Sequence, residues 1–230
     1  MKNQNLKTMR DNRGSDKDTT NKEQILAKLR NAVIEKPEAM FEDIDLQSDT
    51  WQPIKEEDGN AITFVQKFKD MGGIFIYLED ESEFGDCLHQ LAPENGWEPF
   101  WCTSPAMQQL LEKYGLSYHT EPAKENKQKL VCITDCEYLI AQTGSIILSD
   151  RNTGSRKAYT EPDVLLVMAH TSQIMGGLKE ALQKLKGQLN TGAASQVAIL
   201  TGPTRTYDIE QTEVTGVFGP RQMAVFLIDD

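Results

Sequence analysis

The sequence predicts an α/β fold in three layers, a mostly parallel sheet covered on both sides, with a helical extension at the N-terminus. Three observations lead there. From residue 61 onward, short apolar runs alternate with segments whose apolar residues recur at helical spacing, the pattern of repeated strand–helix units. The runs themselves, such as Ile74-Phe-Ile-Tyr-Leu78 and Val164-Leu-Leu-Val-Met168, lack polar alternation and so read as strands buried on both faces. Finally, 230 residues with 39% apolar content suffice to bury a substantial core.

Residues 1–19 are polar and lack apolar periodicity, which predicts a disordered leader. A capping box, Thr20-x-x-Glu23, then opens a helix of about four turns, with Ile25, Leu26, Leu29 and Val33 at helical spacing. Residues 35–60 are irregular and acidic, punctuated by Pro37, Pro53 and Gly59; Phe41, Ile44, Leu46 and Trp51 are the expected anchors of a wrapping segment. The helix and wrap make up residues 20–59, and the α/β domain proper is expected over 60–230.

Within that domain a helix carrying Ile62, Phe64, Val65, Phe68 and Met71 ends at Gly72-Gly73, before the strand at Ile74–Leu78. A helix over residues 82–91, a short strand at 99–102 and a helix opened by Ser104-Pro105 and closed by Gly115 follow. Further strands are predicted at 130–133, 145–148, 164–168, Val197–Leu200 and 224–228, with a helix over 172–185. No internal repeat is visible.

Composition narrows the function classes. A formal net charge of −11 and a pI near 4.8 argue against nonspecific binding to nucleic acid, which depends on surplus Lys and Arg. Residues 1–22 hold six basic and three acidic side chains, leaving 18 against 32, or −14, on the rest. No run approaches the roughly 18 apolar residues of a membrane helix. Cys87, Cys102, Cys132 and Cys136 lack the paired spacing of metal or cluster sites and read as buried, reduced thiols in a cytoplasmic protein.

In open α/β sheets, ligands sit beyond the carboxyl ends of strands, and two segments there are rich in polar chemistry. Gln142-Thr143-Gly144-Ser145 sets an amide, two hydroxyls and a glycine beside a strand start. Thr201-Gly-Pro-Thr-Arg-Thr-Tyr-Asp-Ile-Glu210 follows the strand Val197–Leu200. Here Gly202 permits close backbone approach, while Thr204, Arg205 and Thr206 form an anion grip, Arg205 offering a planar fork of donors to a carboxylate or phosphate. Asp208 and Glu210 complete the candidate ligand-binding set. The alternative is that Arg205 pairs with Asp208 or Glu210 and pins its own loop. The polar loop Arg151-Asn-Thr-Gly-Ser-Arg156 is either a solvated turn or the source of a second cation. Neither main segment is a phosphate-binding loop or dinucleotide fingerprint, and no His adjoins a Cys or Ser in a nucleophile motif. No metal-ligating set and no catalytic residue is assigned.

These motifs carry a resemblance. Ile140-Ala-Gln-Thr-Gly-Ser-Ile-Ile-Leu148, Glu161-Pro-Asp163, Ser172-Gln-Ile174, Thr201-Gly-Pro-Thr-Arg-Thr-x-Asp-Ile-Glu210 and Gly216-Val-x-Gly-Pro220, in that order over about residues 60–230, resemble the LUD domain family of the lactate utilisation protein C type. The resemblance implies a fold like that of ribose-5-phosphate isomerase, glucosamine-6-phosphate deaminase and the CoA transferases. It also implies a role as a subunit or accessory protein in oxidising L-lactate to pyruvate. The iron–sulfur clusters would then sit on partner proteins, with no cofactor on this chain; homodimerisation is left open. The sequence departs from the family pattern twice: Gln142 stands where glutamate is usual, and Phe218 where histidine is common. The other readings are a free-standing enzyme acting on a sugar phosphate or CoA thioester, as the fold relatives do, and a noncatalytic regulatory LUD module.

Overall fold

A computed structural model describes residues 21–34, 59–122, 129–189 and 194–230, divided between two units, Met1–Thr50 and Trp51–Asp230. In the first unit the described element is helix α1 (Asn21–Ile34), whose Ile25, Leu26 and Leu29 are exposed. The leader, the cap Thr20 and the anchors Phe41, Ile44, Leu46 and Trp51 lie outside the described residues. Among the described residues no helix is long and apolar enough to cross a membrane.

The second unit begins with α2 (Gly59–Asp70), β1 (Ile74–Leu78), α3 (Glu81–Asn95), β2 (Phe100–Trp101), α4 (Pro105–Lys113), β3 (Tyr118–His119) and β4 (Val131–Asp135). Next come β5 (Tyr138–Ile140), β6 (Ser145–Ser149), α5 (Asp150–Thr153), β7 (Val164–His170), β8 (Ile174–Met175) and α6 (Leu178–Leu189). The chain finishes with β9 (Val197–Leu200), β10 (Arg205–Tyr207), β11 (Glu213–Thr215) and β12 (Gln222–Ile228).

The helix boundaries follow local chemistry. Asp80 caps α3 by accepting from the backbone N–H of Ser82 at 2.7 Å and Glu83 at 3.1 Å. Gly96 ends that helix in the left-handed region, at φ 66°, which costs glycine little. Ser104 caps α4, and Pro105 fills its first turn, where a missing N–H costs no hydrogen bond.

The α/β class and the parallel sheet expected from the sequence are what the chain builds. Six strands in the order β1-β12-β7-β4-β2-β3 form one sheet, and every neighbouring pair in it is parallel. The central strands alternate between two cores. Leu165, Val167 and Ala169 of β7 enter one, while Val164 and Leu166 enter the other. That is why their sequence reads as an unbroken apolar run.

The covering layers were only partly legible. Helices α3 and α4 pack on one face through Phe84, Leu88, Met107 and Leu111. On the other face α2 inserts Phe64 and Phe68, stacked at 5.5 Å between ring centroids, beside a second sheet ordered β8-β5-β6-β9. In that sheet β6 runs antiparallel to both β5 and β9, and α6 backs it through Ala181 and Leu185. The strands predicted at 145–148 and Val197–Leu200 therefore belong to this second sheet. Two other expectations are corrected. Among the described residues the strand Ile74–Leu78 is an edge strand paired with β12 alone; Ile74 and Tyr77 are exposed and it is not buried on both faces. The helix expected over 172–185 starts at Leu178, after a single 3-10 turn and the short β8.

Candidate functional site

The antiparallel pairings of β6 in the second sheet decide what the polar segments can reach. Because β5 and β9 both run opposite to β6, the end of β5, the start of β6 and the end of β9 share one edge, with Ile140 opposite Ser145 and Ile146 opposite Leu200. The two segments singled out in the sequence, 56 residues apart in the chain between Ser145 and Thr201, meet there. Thr143 Oγ1 lies 2.7 Å from Ser145 Oγ, which lies 2.7 Å from Thr201 Oγ1, a continuous chain of three hydroxyls.

Two glycines press this edge against α2. Gly144 has φ +64°, and a Cβ there would stand 2.5 Å from the backbone N of Phe68. Gly202 has φ +73°, and a Cβ there would stand 2.7 Å from the carbonyl oxygen of Met71. Both positions demand the left-handed region and a bare backbone, so glycine is required twice over. Gln142 is held by its own N–H, which donates to Gly176 O at 3.1 Å.

Between this edge and α2 lies an open cavity of about 400 Å³. Its walls are apolar: Met71, Ile140, Leu178 and Ile199. Its polar groups are Lys67, Gln142, Thr143, Ser145 and Thr201. Sequence reasoning selected Gln142, Thr143 and Ser145 but missed Lys67, Thr201 and the four apolar residues. Lys67 was hidden because α2 reads as a core helix, its signal being Phe64 and Phe68. The residue lies three positions after Phe64, next to Phe68, and is itself exposed.

The remaining selected residues sit elsewhere. Arg205 donates to the carbonyl oxygen of Met71 and stands 3.7 Å from Glu213 Oε1 across the β10–β11 hairpin. It pairs with neither Asp208 nor Glu210. Thr204 is fixed by its backbone, its N–H donating to Pro220 O at 2.9 Å and its carbonyl accepting from Gly216 N at 3.0 Å. A Cβ on Gly219, φ +121°, would meet Thr204 Oγ1. Thr206 lies opposite Val214 in the exposed hairpin. Asp208 closes the hairpin turn, its N–H donating to Thr212 O at 3.0 Å, and Glu210 is exposed. None of these five lines the cavity. Phe218 is 84% exposed, so that departure from the family pattern also falls away from it.

The carboxyl end of β4 holds a separate polar cluster. Asp135 accepts from Ser104 Oγ at 3.2 Å and Asn152 Nδ2 at 3.1 Å, and burial pushes its carboxyl above the ordinary range. The buried Glu137 takes Ser149 Oγ and Arg151 Nη2, each at 2.6 Å. Arg151 of α5, read from sequence as part of a solvated turn or as a second ligand cation, is thus engaged by the buried Glu137 carboxylate. His170 Nδ1 lies 3.9 Å from Asp230 Oδ2, and His89 Nε2 lies 2.7 Å from Tyr114 O.

Cys102, Cys132 and Cys136 are buried and Cys87 half-buried. Burial pushes the Cys102 thiol up to about 12 and raises the other three. They remain protonated near neutral pH, which suits packing and not nucleophilic attack. Among the described residues no three His, Cys, Asp or Glu side chains gather as a metal site would require.

Comparison with known proteins places this geometry. The chain is 27% identical to lactate utilization protein C of Geobacillus thermodenitrificans over 167 residues, 72% of this chain and 67% of that protein. It is 31% identical to the protein of the same name from Deinococcus radiodurans over 97 residues, 42% of this chain and 45% of that one. A third, from Bacillus subtilis, is 28% identical over 112 residues. The matched stretch thus spans only about half the length of the latter two relatives. Among solved structures, a DUF162 family protein from Deinococcus radiodurans superposes with a TM-score of 0.57 at 17% identity, covering 76% of this chain and 99% of that one; at such identity the likeness is one of fold. Residues 63–228 match the LUD domain, more than two thirds of the sequence, and the chain belongs to the LUD domain family.

Proposed function

We propose that this chain is a component of a lactate-utilisation system, acting beside partner proteins that carry iron–sulfur clusters in the oxidation of L-lactate to pyruvate. The observation that carries this reading is the LUD match together with relatives named lactate utilization protein C. In this reading the partners move the electrons, and this chain handles a small carboxylate or phosphate ligand in the cavity between α2 and the second sheet. The cavity lining favours binding over acid–base chemistry: among the described residues it holds Lys67 and neither a carboxylate nor a histidine, and Gln142 supplies a neutral amide.

The test is reconstitution. The chain is co-purified with its native partners, and lactate-dependent dye reduction is measured with and without it. Loss of the activity on omission, restored by adding the chain back, is the expected result. Full activity without the chain would reject the reading. Turnover of a sugar phosphate or CoA thioester by the purified chain alone would favour a free-standing enzyme instead.

A further inference from the structure

We propose that the cavity beside α2 takes a monoanionic organic acid whose apolar body is longer than the methyl group of lactate, and that Lys67, not Arg205, meets its charge. The proposal rests on the reading of that cavity as the ligand site.

Charge is the first argument. The chain carries a net charge of −11, yet among the described residues the cavity is lined by Lys67 and by no carboxylate. An anion entering it meets Lys67 without like charge on the walls. Arg205 is committed elsewhere, to Met71 O and Glu213, and its hairpin does not line the cavity.

Size is the second. A water molecule's share of liquid volume is about 30 Å³, which puts a three-carbon acid on the order of 100 Å³. Lactate would therefore leave most of a 400 Å³ cavity unfilled. The unfilled part is bounded by Met71, Ile140, Leu178 and Ile199, and three of these, Met71, Leu178 and Ile199, are exposed to solvent. Apolar wall facing water favours a ligand with apolar surface of its own, since burial of each methylene contributes about 0.8 kcal/mol, or roughly fourfold in affinity.

Polar chemistry is the third. Each hydroxyl both donates and accepts, and Ser145 stands between Thr143 and Thr201 at 2.7 Å from each. The two outer hydroxyls keep bonding capacity for a carboxylate or an adjacent ligand hydroxyl. The cavity thus combines a cation, a hydroxyl row and an apolar wall, the make-up of a site for an amphiphilic acid.

The experiment is calorimetric titration of the full chain with straight-chain 2-hydroxy acids from lactate to 2-hydroxyoctanoate, with inorganic phosphate as a separate arm. Affinity should rise about fourfold per methylene over the first few additions, and phosphate should bind more weakly than the longer acids. Lys67→Met should weaken the best acid about tenfold, and Gln142→Glu, which sets a carboxylate beside the ligand, should weaken it as well; unchanged unfolding temperatures would show that both variants fold. Affinity that is flat or falling along the series, or phosphate binding as tightly as the longest acid, would overturn the ligand class. Undiminished binding by a folded Lys67→Met would overturn the role of Lys67. Chain-length-dependent binding combined with dye reduction that ignores this chain would remove the lactate-system reading and leave this one standing. Dye reduction that needs the chain, with no acid bound, would do the reverse.

Discussion

Two polar regions look alike in sequence and differ in the folded chain. The turn Gln142-Thr-Gly-Ser145, with Thr201, is pressed onto α2 and joined by a chain of hydroxyls beside a cavity. The hairpin from Arg205 to Thr215 carries more charge, yet it is exposed along its length and pairs mainly with itself. Arg205, the most ligand-like residue in the sequence, fastens this hairpin to the end of α2. Richness in hydrogen-bonding groups therefore marks structural need as readily as ligand contact. What separates the two regions is the backbone they are set against.

The sharpest way to break this contrast is Gly144→Ala. The new Cβ would collide with the backbone of α2 at 2.5 Å, in a left-handed conformation that alanine disfavours. A loss of about 2–4 kcal/mol is expected in denaturant unfolding, because backbone cannot step aside as a flexible side chain can. A loss below about 0.5 kcal/mol would mean that the turn is not packed as described.

A smaller effect should follow Ser145→Ala. It removes the middle of the hydroxyl chain and leaves Thr143 and Thr201 without the partner they share, for a cost of about 1–2 kcal/mol. The equivalent change in the hairpin, Thr206→Ala, should fall within about 0.5 kcal/mol, since Thr206 is exposed. Equal losses at the two positions would erase the distinction between the regions.

Smaller again is Arg205→Met. Its ion pair is partly solvated, with side-chain exposures of 41% and 43%, so it contributes little, and the hydrogen bond to Met71 adds about 0.5–1 kcal/mol. A modest drop in unfolding temperature should accompany acid binding that weakens less than in Lys67→Met. Binding that weakens more than in Lys67→Met would return the anion grip to the hairpin.

Last comes a pH effect at the other end of β9. Hydrogen bonds from Ser195 and Gln196 hold the Asp150 carboxyl below its ordinary value. The stability that this group contributes is present above the ordinary carboxylate range, about pH 4, and is lost as pH falls through the depressed value. Asp150→Asn should flatten the acid limb of the stability profile slightly, measured as unfolding temperature between pH 2 and 5. A limb of unchanged slope would dissociate Asp150 from the anchoring of β9.

The sequence revealed the parallel sheet because buried strands must be apolar on both faces, and β4, β7 and β12 are. It concealed the second sheet for the opposite reason: β5 and β8 are two or three residues long, too short for a period to show. Without β5 there is no sign that Gln142-Thr-Gly-Ser145 is a tight antiparallel turn, nor that Thr201 would come beside it. The cap at Ser104 and the stop at Gly115 were legible because they are local. Lys67 was not, because its place in the site depends on a turn more than 70 residues later in the chain. Edge strands deceived in the same way, since Ile74–Leu78 is as apolar as a central strand and only the topology leaves Ile74 and Tyr77 exposed.

A crystal structure of the chain grown with 2-hydroxyhexanoate distinguishes the cavity beside α2 from the Arg205 hairpin as the place where the proposed ligand binds. The acid should lie in the cavity, its carboxylate within hydrogen-bond reach of Lys67 Nζ or the Thr143–Ser145–Thr201 hydroxyls and its alkyl chain against Leu178 and Ile199. Acid seated on the hairpin against Arg205, with the cavity holding only water, would move the ligand site from the cavity to the hairpin.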